Sequence, residues 1–107
     1  LLADGDRRVT ESALVNPRLR EEDLVAALRR EDVPAVLVEA AFASSRWGSS
    51  YAVRLALALQ PRTPLAIALR QVSSLVPRDL RRVAGAEQAR PLVRATAQGL
   101  LDRAGDV

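Results

Sequence analysis

The 107 residues include no cysteine, histidine, lysine or methionine. Without cysteine there can be no disulfides and no thiolate metal sites. Without histidine the commonest metal ligand and general base is gone. Carboxylates, arginines, hydroxyls and one tyrosine remain, so the expectation is a non-catalytic protein with no metal and no cofactor, carboxylate-only chemistry being the route left open. Only Phe42, Trp47 and Tyr51 are aromatic. The core must therefore be built from Leu, Val and Ala, which favours helices over strands and an all-α fold. The longest apolar runs, 33–38 and 55–59, fall far short of the roughly 20 residues that span a bilayer. The N-terminal stretch is acidic and has two apolar residues in a row, which does not make a secretory signal. A cytoplasmic setting is expected. A start methionine is not normally trimmed from before a leucine, so Leu1 points to a segment of a longer chain. Residues 1–6 and 100–107 have the composition of helix ends, which favours a solenoid segment; the alternative is that disordered ends lie outside the sequence.

What is present begins with an echo. Val9-x-x-Ser12-Ala13-Leu14-Val15-Asn16-Pro17-Arg18 returns 44 residues later as Val53-x-x-Ala56-Leu57-Ala58-Leu59-Gln60-Pro61-Arg62. Each copy is an apolar run stopped by a polar-Pro-Arg corner. A recurrence at this period points to stacked helical units rather than to a closed domain around one active site.

Periodicity predicts about seven short antiparallel helices joined by links of about two to six residues. The first covers 6–15. The second, 21–30, opens with Glu21, Glu22 and Asp23 and closes with Arg29 and Arg30, complementing the helix dipole at both ends. The third, 33–43, is predicted to be capped by Asp32 with Pro34 in its first turn. The fourth covers 49–59. Glu39 and Arg54 are the only charges within these two, so both should be covered on most sides. Thr63-Pro64 reads as an N-cap followed by proline at the first helical position of the fifth. The sixth runs from Pro77 to Gly85, and the seventh over 91–103 with Gly105 as its C-terminal cap.

All sixteen basic residues are arginine. Arginine suits bidentate recognition of phosphate and carboxylate, while the bias of a GC-rich genome would produce the same count. Position is more informative than number. Residues 1–44 hold six arginines and nine acids, a net of −3, and residues 45–107 hold ten arginines and four acids, a net of +6. No acid lies between Glu39 and Asp79, a span that includes Arg46, Arg54, Arg62, Arg70 and Arg78. This asymmetry suggests either a basic binding face or head-to-tail stacking of acidic and basic ends.

The segment Asp4-Gly5-Asp6-Arg7-Arg8-Val9-Thr10-Glu11-Ser12-Ala13 resembles the Asp-x-x-Val-Arg-x-x-Ala signature of HEAT-type repeats, and Val53-Arg54-Leu55-Ala56 resembles its next copy. The corners Asn16-Pro17-Arg18-Leu19 and Gln60-Pro61-Arg62-Thr63-Pro64-Leu65 are similar to those of bacterial leucine-rich repeat variant proteins. Trp47-Gly48-Ser49-Ser50-Tyr51 departs from the Asp-containing turn expected before Val53, and the third copy, after Gly85, is nearly erased. The resemblance implies an α-solenoid over 1–107 that docks other macromolecules, and it carries no catalytic residue.

Arg46, Trp47, Tyr51 and Arg54 form the one aromatic-basic cluster. If helical, Trp47 and Tyr51 share a face, which would offer a stacking platform beside guanidiniums, as in HEAT-like DNA glycosylases. Alternatively, both rings plug the junction between the third and fourth helices. Arg78, Arg81 and Arg82, with Arg90 and Arg94 on the next helix, make either a basic strip or a solvated face. Glu21, Glu22 and Asp23 fan out around a helix and cannot converge on one ion. A catalytic tyrosine would need Tyr51 brought to Asp79 or Glu39, and nothing in the sequence asks for that. The expectation is a protein–protein interaction scaffold anchored through Arg46, Trp47, Tyr51, Arg54, Arg62, Arg78 and Arg82. Its partner would be another protein, or a second copy through acidic-to-basic end stacking. Nucleic-acid binding through 46–82 is the alternative.

Overall fold

The computed structural model describes residues 6–105; most of the helix-end segment expected over 1–6, with the Asp4-Gly5 of the repeat signature, and the last two residues of 100–107 lie outside them. Among these residues there are seven helices and no strand: α1 (Arg7–Val15), α2 (Glu21–Leu28), α3 (Ala35–Ala43), α4 (Tyr51–Leu59), α5 (Leu65–Val72), α6 (Pro77–Ala84) and α7 (Pro91–Gly105). The all-α class expected from composition is what is observed. No helix among the described residues is long and apolar enough to cross a membrane.

All six prolines stand at corners, because proline cannot donate to a helix interior and restrains the residue before it. Pro17 and Pro61 follow the C-caps Asn16 and Gln60. Pro34 and Pro64 are the N-caps of α3 and α5, and Pro77 and Pro91 open α6 and α7. The recurring polar-Pro-Arg corner has a common mechanism. The Asn16 side-chain oxygen accepts from the Arg18 amide at 2.9 Å, and Gln60 does the same for Arg62 at 3.0 Å. The residue ahead of the proline thus closes the turn with its own side chain.

Local caps complete the helix starts. Asp6 accepts from the amides of Arg8 and Val9 at 2.8 and 3.3 Å. Ser50 accepts from Val53 at 3.3 Å. Asp23 accepts from the Arg20 amide at 3.4 Å at the head of α2, with Glu21 and Glu22 beside it in the acidic first turn.

Four expectations need correction. Asp32 does not cap α3, which starts two residues after Val33; its carboxylate instead grips Arg30, Nε to Oδ1 at 3.0 Å and Nη2 to Oδ2 at 3.2 Å. The hydrogen bond and charge of Arg30 hold the Asp32 carboxyl below the usual carboxylate range, but both groups are exposed and such pairs add little stability. Thr63 does not cap α5: it is fully buried, and its hydroxyl has no partner within the fold. Gly105 does not cap α7 in the left-handed conformation, since α7 runs through it and no described glycine has a positive φ. Finally, α3 is covered on one face only; Leu37, Val38 and Ala41 are buried while Ala35, Glu39 and Ala43 are exposed.

Four of the five helix pairs that lie two apart in sequence pack on each other: α2 on α4 and α4 on α6 in one row, α1 on α3 and α5 on α7 in the other, where α3 and α5 make no comparable contact; α3–α4, α4–α5 and α6–α7 join the two rows. From the helix starts at Arg7, Glu21, Ala35, Tyr51, Leu65, Pro77 and Pro91, those two-helix steps are 26 to 30 residues long. The 44-residue echo runs from α1 to α4, three helices on. It therefore marks a recurring helix-and-corner unit and not the packing repeat. The result is elongated, 46 × 23 × 19 Å, and its radius of gyration of 14.0 Å exceeds the roughly 13 Å of a spherical-type domain of this length.

Helix α4 is the centre. Val53, Ala56 and Leu57 belong to a cluster with Leu14, Leu24, Leu28, Leu37 and Trp47. Ala58 and Leu59 belong to a second, with Val72, Leu80, Val83 and Val93. One helix thus supplies both cores, which is why its sequence is apolar nearly all round. Leu57 is completely buried, and its replacement by alanine should cost about 2–5 kcal/mol. Urea unfolding followed by the fluorescence of the single tryptophan measures this; a loss below about 1 kcal/mol would mean that α4 is not the shared core.

Candidate partner-binding surface

The seven candidate residues do not converge. Arg46 and Trp47 lie in the corner over 44–50, where Gly48 is needed for space: a Cβ there would stand 2.7 Å from the Ser44 carbonyl oxygen and 2.8 Å from that of Phe42. Trp47 is buried, and its indole Nε1 donates to the Leu14 carbonyl at 2.9 Å. Arg46 lies over the indole with its Cζ 4.2 Å from the ring centroid. Its Nη1 and Nη2 donate to the carbonyls of Asn16 and Leu19 at 3.0 and 2.9 Å. In the same corner the Ser50 hydroxyl donates to Glu21 at 2.8 Å.

Trp47 precedes α4 and Tyr51 is its first residue, so the two rings do not share a helix face. Trp47 enters the first core and Tyr51 packs against the second. The rings therefore do not plug the α3–α4 junction together: each packs into a different core, and the Arg46 guanidinium beside Trp47 is held by carbonyls. The structure does bring Tyr51 to Asp79, a pairing that no sequence pattern announced. The phenol donates to Asp79 Oδ2 at 2.7 Å and accepts from the Val76 amide at 3.1 Å. Asp79 is the one acid of α6 and is buried. Burial, followed by the bond to Asp79, pushes the Tyr51 phenol above the usual tyrosine range, against smaller opposing effects of the Val76 amide and Arg78. The shift keeps the phenol protonated and suits it to lock α4 to the start of α6.

The corners at the opposite helix ends are braced in the same way. Gln60 is buried, and its amide nitrogen donates to the carbonyls of Leu28 and Arg30 at 2.7 and 2.9 Å. Arg62 Nη1 donates to the Val33 carbonyl at 3.3 Å, and Arg90 Nη1 to that of Thr63 at 3.2 Å. These cross-links and those of the first end span 25 to 33 residues, matching the two-helix packing step. Gln60, Arg90 and Ser50 were missed as tertiary links. Only Gln60 carried a signal, as the polar member of its corner, and that signal reported the turn it closes and not the helix it holds.

Three candidates stay outside the bracing. Arg54 is half-buried, with Cζ 5.4 Å from the Tyr51 centroid and an Nε that has no acceptor within the fold. Arg78 and Arg82 are exposed on α6 together with Arg81, forming one stripe at i, i+3 and i+4, while Asp79 turns inward. The ion pairs found among the described residues involve Arg7, Arg20 and Arg30, all in the first third of the chain. A shallow groove lined by Arg29, Glu31, Leu59, Gln60, Arg62 and Gln88 crosses the corners at the second end. Among the described residues no group of three or more carboxylates is placed to hold a metal ion. Compared with protein families, curated proteins and solved structures, the chain matches none.

Tyr51 is the only tyrosine, so its ionisation can be followed by absorbance without interference. The midpoint should lie above 10 in the folded protein and return to about 10 in denaturant. A folded pKa raised above the unfolded one contributes stability that is complete below about pH 10 and lost as pH rises through the folded value. Tyr51→Phe should therefore cost about 1–3 kcal/mol at neutral pH, leaving the Asp79 carboxylate and Val76 amide without their partner. The gap from wild type should narrow in alkali. A folded midpoint at or below 10, with a pH-independent gap, would contradict the lock.

Proposed function

We propose that the chain is an α-solenoid-like module of the HEAT or leucine-rich repeat variant kind, working in the cytoplasm as a non-catalytic protein–protein interaction scaffold. The observation that carries the reading is the regular bracing of corners: each corner is tied to the one two helices back, at both sets of helix ends. Such a stack holds its exposed helix ends in fixed positions, which suits the display of a docking surface. Arg54, Arg78 and Arg82 are the polar anchors for a partner, since the guanidiniums of Arg46 and Arg62 already hold carbonyls.

One observation favours nucleic acid as a second reading: the α6 stripe is purely cationic because its single acid is buried. The acids at the head of α2, in the same helix row, weigh against a long polyanion lying across that row. A salt titration of binding to a short DNA duplex, followed by fluorescence anisotropy, separates the two. The scaffold reading expects no binding tighter than the non-specific range of about 10⁻⁴–10⁻⁶ M at physiological salt. Tighter binding that falls steeply with salt and is lost in Arg78→Ala/Arg82→Ala would overturn it.

A further inference from the structure

Exposed charges of opposite sign lie on the first and last helices of the row α2–α4–α6. On α2 the acids Glu21, Glu22 and Asp23 occupy the first turn and are all exposed, with Ala26 exposed one turn on; Glu21 accepts from Ser50, and Glu22 and Asp23 lie 3.9 and 3.5 Å from Arg20 in exposed pairs that water screens. On α6 the exposed residues Arg78, Arg81 and Arg82 face solvent, and the helix's one acid is buried beneath them. In the other row, α7 leaves Leu92 51% exposed, Ala95 exposed, and Gly99 so open that an added Cβ would meet nothing within 4 Å. On α1 a hollow lined by Val9, Ser12 and Ala13 lies open, with Asp6 and Arg8 also lining it.

We propose that the partner is a second copy of this chain, docked head to tail, with the α6–α7 end of one molecule on the α1–α2 end of the next. The inference rests on the scaffold reading above and names its partner. The docking step repeats the packing already present inside the chain, where α2 lies on α4 and α4 on α6: α6 would take α2 of the next copy, and α7 would take its α1. In such a parallel pairing, helix side chains tilt toward the N-terminus. Arg81 and Arg82 thus lean back toward the level of the acidic first turn, and Arg78 lies beside it. Leu92 and the small residues Ala95 and Gly99 meet the hollow of α1 over Val9 and Ala13, with Asp6, Arg8, Ser12 and Asn16 at its polar lining.

Size sets the strength. The stack's cross-section, 23 by 19 Å, limits the face to well under the roughly 800 Å² per partner of a standard interface. Exposed ion pairs contribute at most about 1 kcal/mol each and are screened by salt. The contact is therefore weak, salt-sensitive and open-ended, because a heterologous interface that does not close on itself adds copies in series.

Sedimentation velocity on the whole chain tests this, from about 20 μM to about 1 mM, at about 20 mM and about 500 mM NaCl. At low salt the sedimentation coefficient should climb with concentration through dimers and longer species, and association should weaken at least about tenfold at high salt. Glu22→Arg/Ala26→Arg makes both faces basic and leaves the Glu21–Ser50 bond in place, and Arg81→Glu/Arg82→Glu makes both acidic, so each variant alone should stay monomeric. Mixed one to one they should associate again, since every contact then joins opposite charges; this rescue excludes misfolding as the cause of the single-variant loss. A wild-type chain that is monomeric at every concentration in low salt overturns the second-copy proposal, as do reversed variants that associate like wild type. If that monomer binds no DNA, the scaffold reading stands; if it binds a DNA duplex tightly and salt-sensitively, both fall.

Discussion

A helix ends with carbonyls that it cannot use itself, and in this chain the side chains that take them come from two helices further on. Trp47 takes the carbonyl of Leu14 near the end of α1. Gln60 takes those of Leu28, the last residue of α2, and Arg30 just beyond it. Arg46, Arg62 and Arg90 hold the carbonyls of the corners that follow α1, α2 and α4. Each bond is worth only about 0.5–1.5 kcal/mol net. Their effect on architecture is larger, because they fix the spacing between layers that helix packing alone would leave free to slide. With the corners pinned, eight- and nine-residue helices too short to be stable alone can be stacked around one shared helix, α4.

The same geometry explains the arginines. A guanidinium presents a planar fork of donors, which lets Arg46 hold two carbonyls at once while its face lies on the Trp47 ring; a lysine ammonium offers no such fork. A cation beside a helix C-terminus also meets the favourable end of the dipole. Part of the basic excess after residue 45 is therefore internal architecture. Arg54 and Arg70 lie over the Tyr51 and Phe42 rings, and Arg78, Arg81 and Arg82 are exposed along α6.

Helix identity and corner position were legible because they depend on local chemistry. Proline at 17, 34, 61, 64, 77 and 91 punctuates the chain wherever it occurs, and Ala and Leu fill what lies between. The central role of α4 was visible in the absence of charges other than Arg54. What could not be read was anything whose second partner is a backbone carbonyl, since an acceptor common to every residue leaves no mark in the sequence. For that reason Arg46 and Arg62 looked like free anchors, and Gln60 looked like a turn residue only. The misplacement of Trp47 and Tyr51 has a different origin: α4 starts at Tyr51, two residues later than expected, so a spacing of four that implies a shared helix face applies to a corner instead. The echo misled in the same way, since a recurring corner is a local feature and the packing partner is set by geometry two helices away.

These corners, each closed by its own side chains, also depend on each other across two helices. Amide hydrogen exchange in Gln60→Ala tests this dependence most directly. In the native chain the amides of Arg29, Arg30 and Val33 are held by Val25, Ala27 and Arg30 in the corner that Gln60 clamps. Faster exchange is expected at those three amides, some thirty residues from the substitution, along with the change next to residue 60. Exchange that speeds up only around 60–64, with Arg29, Arg30 and Val33 unaltered, would contradict it.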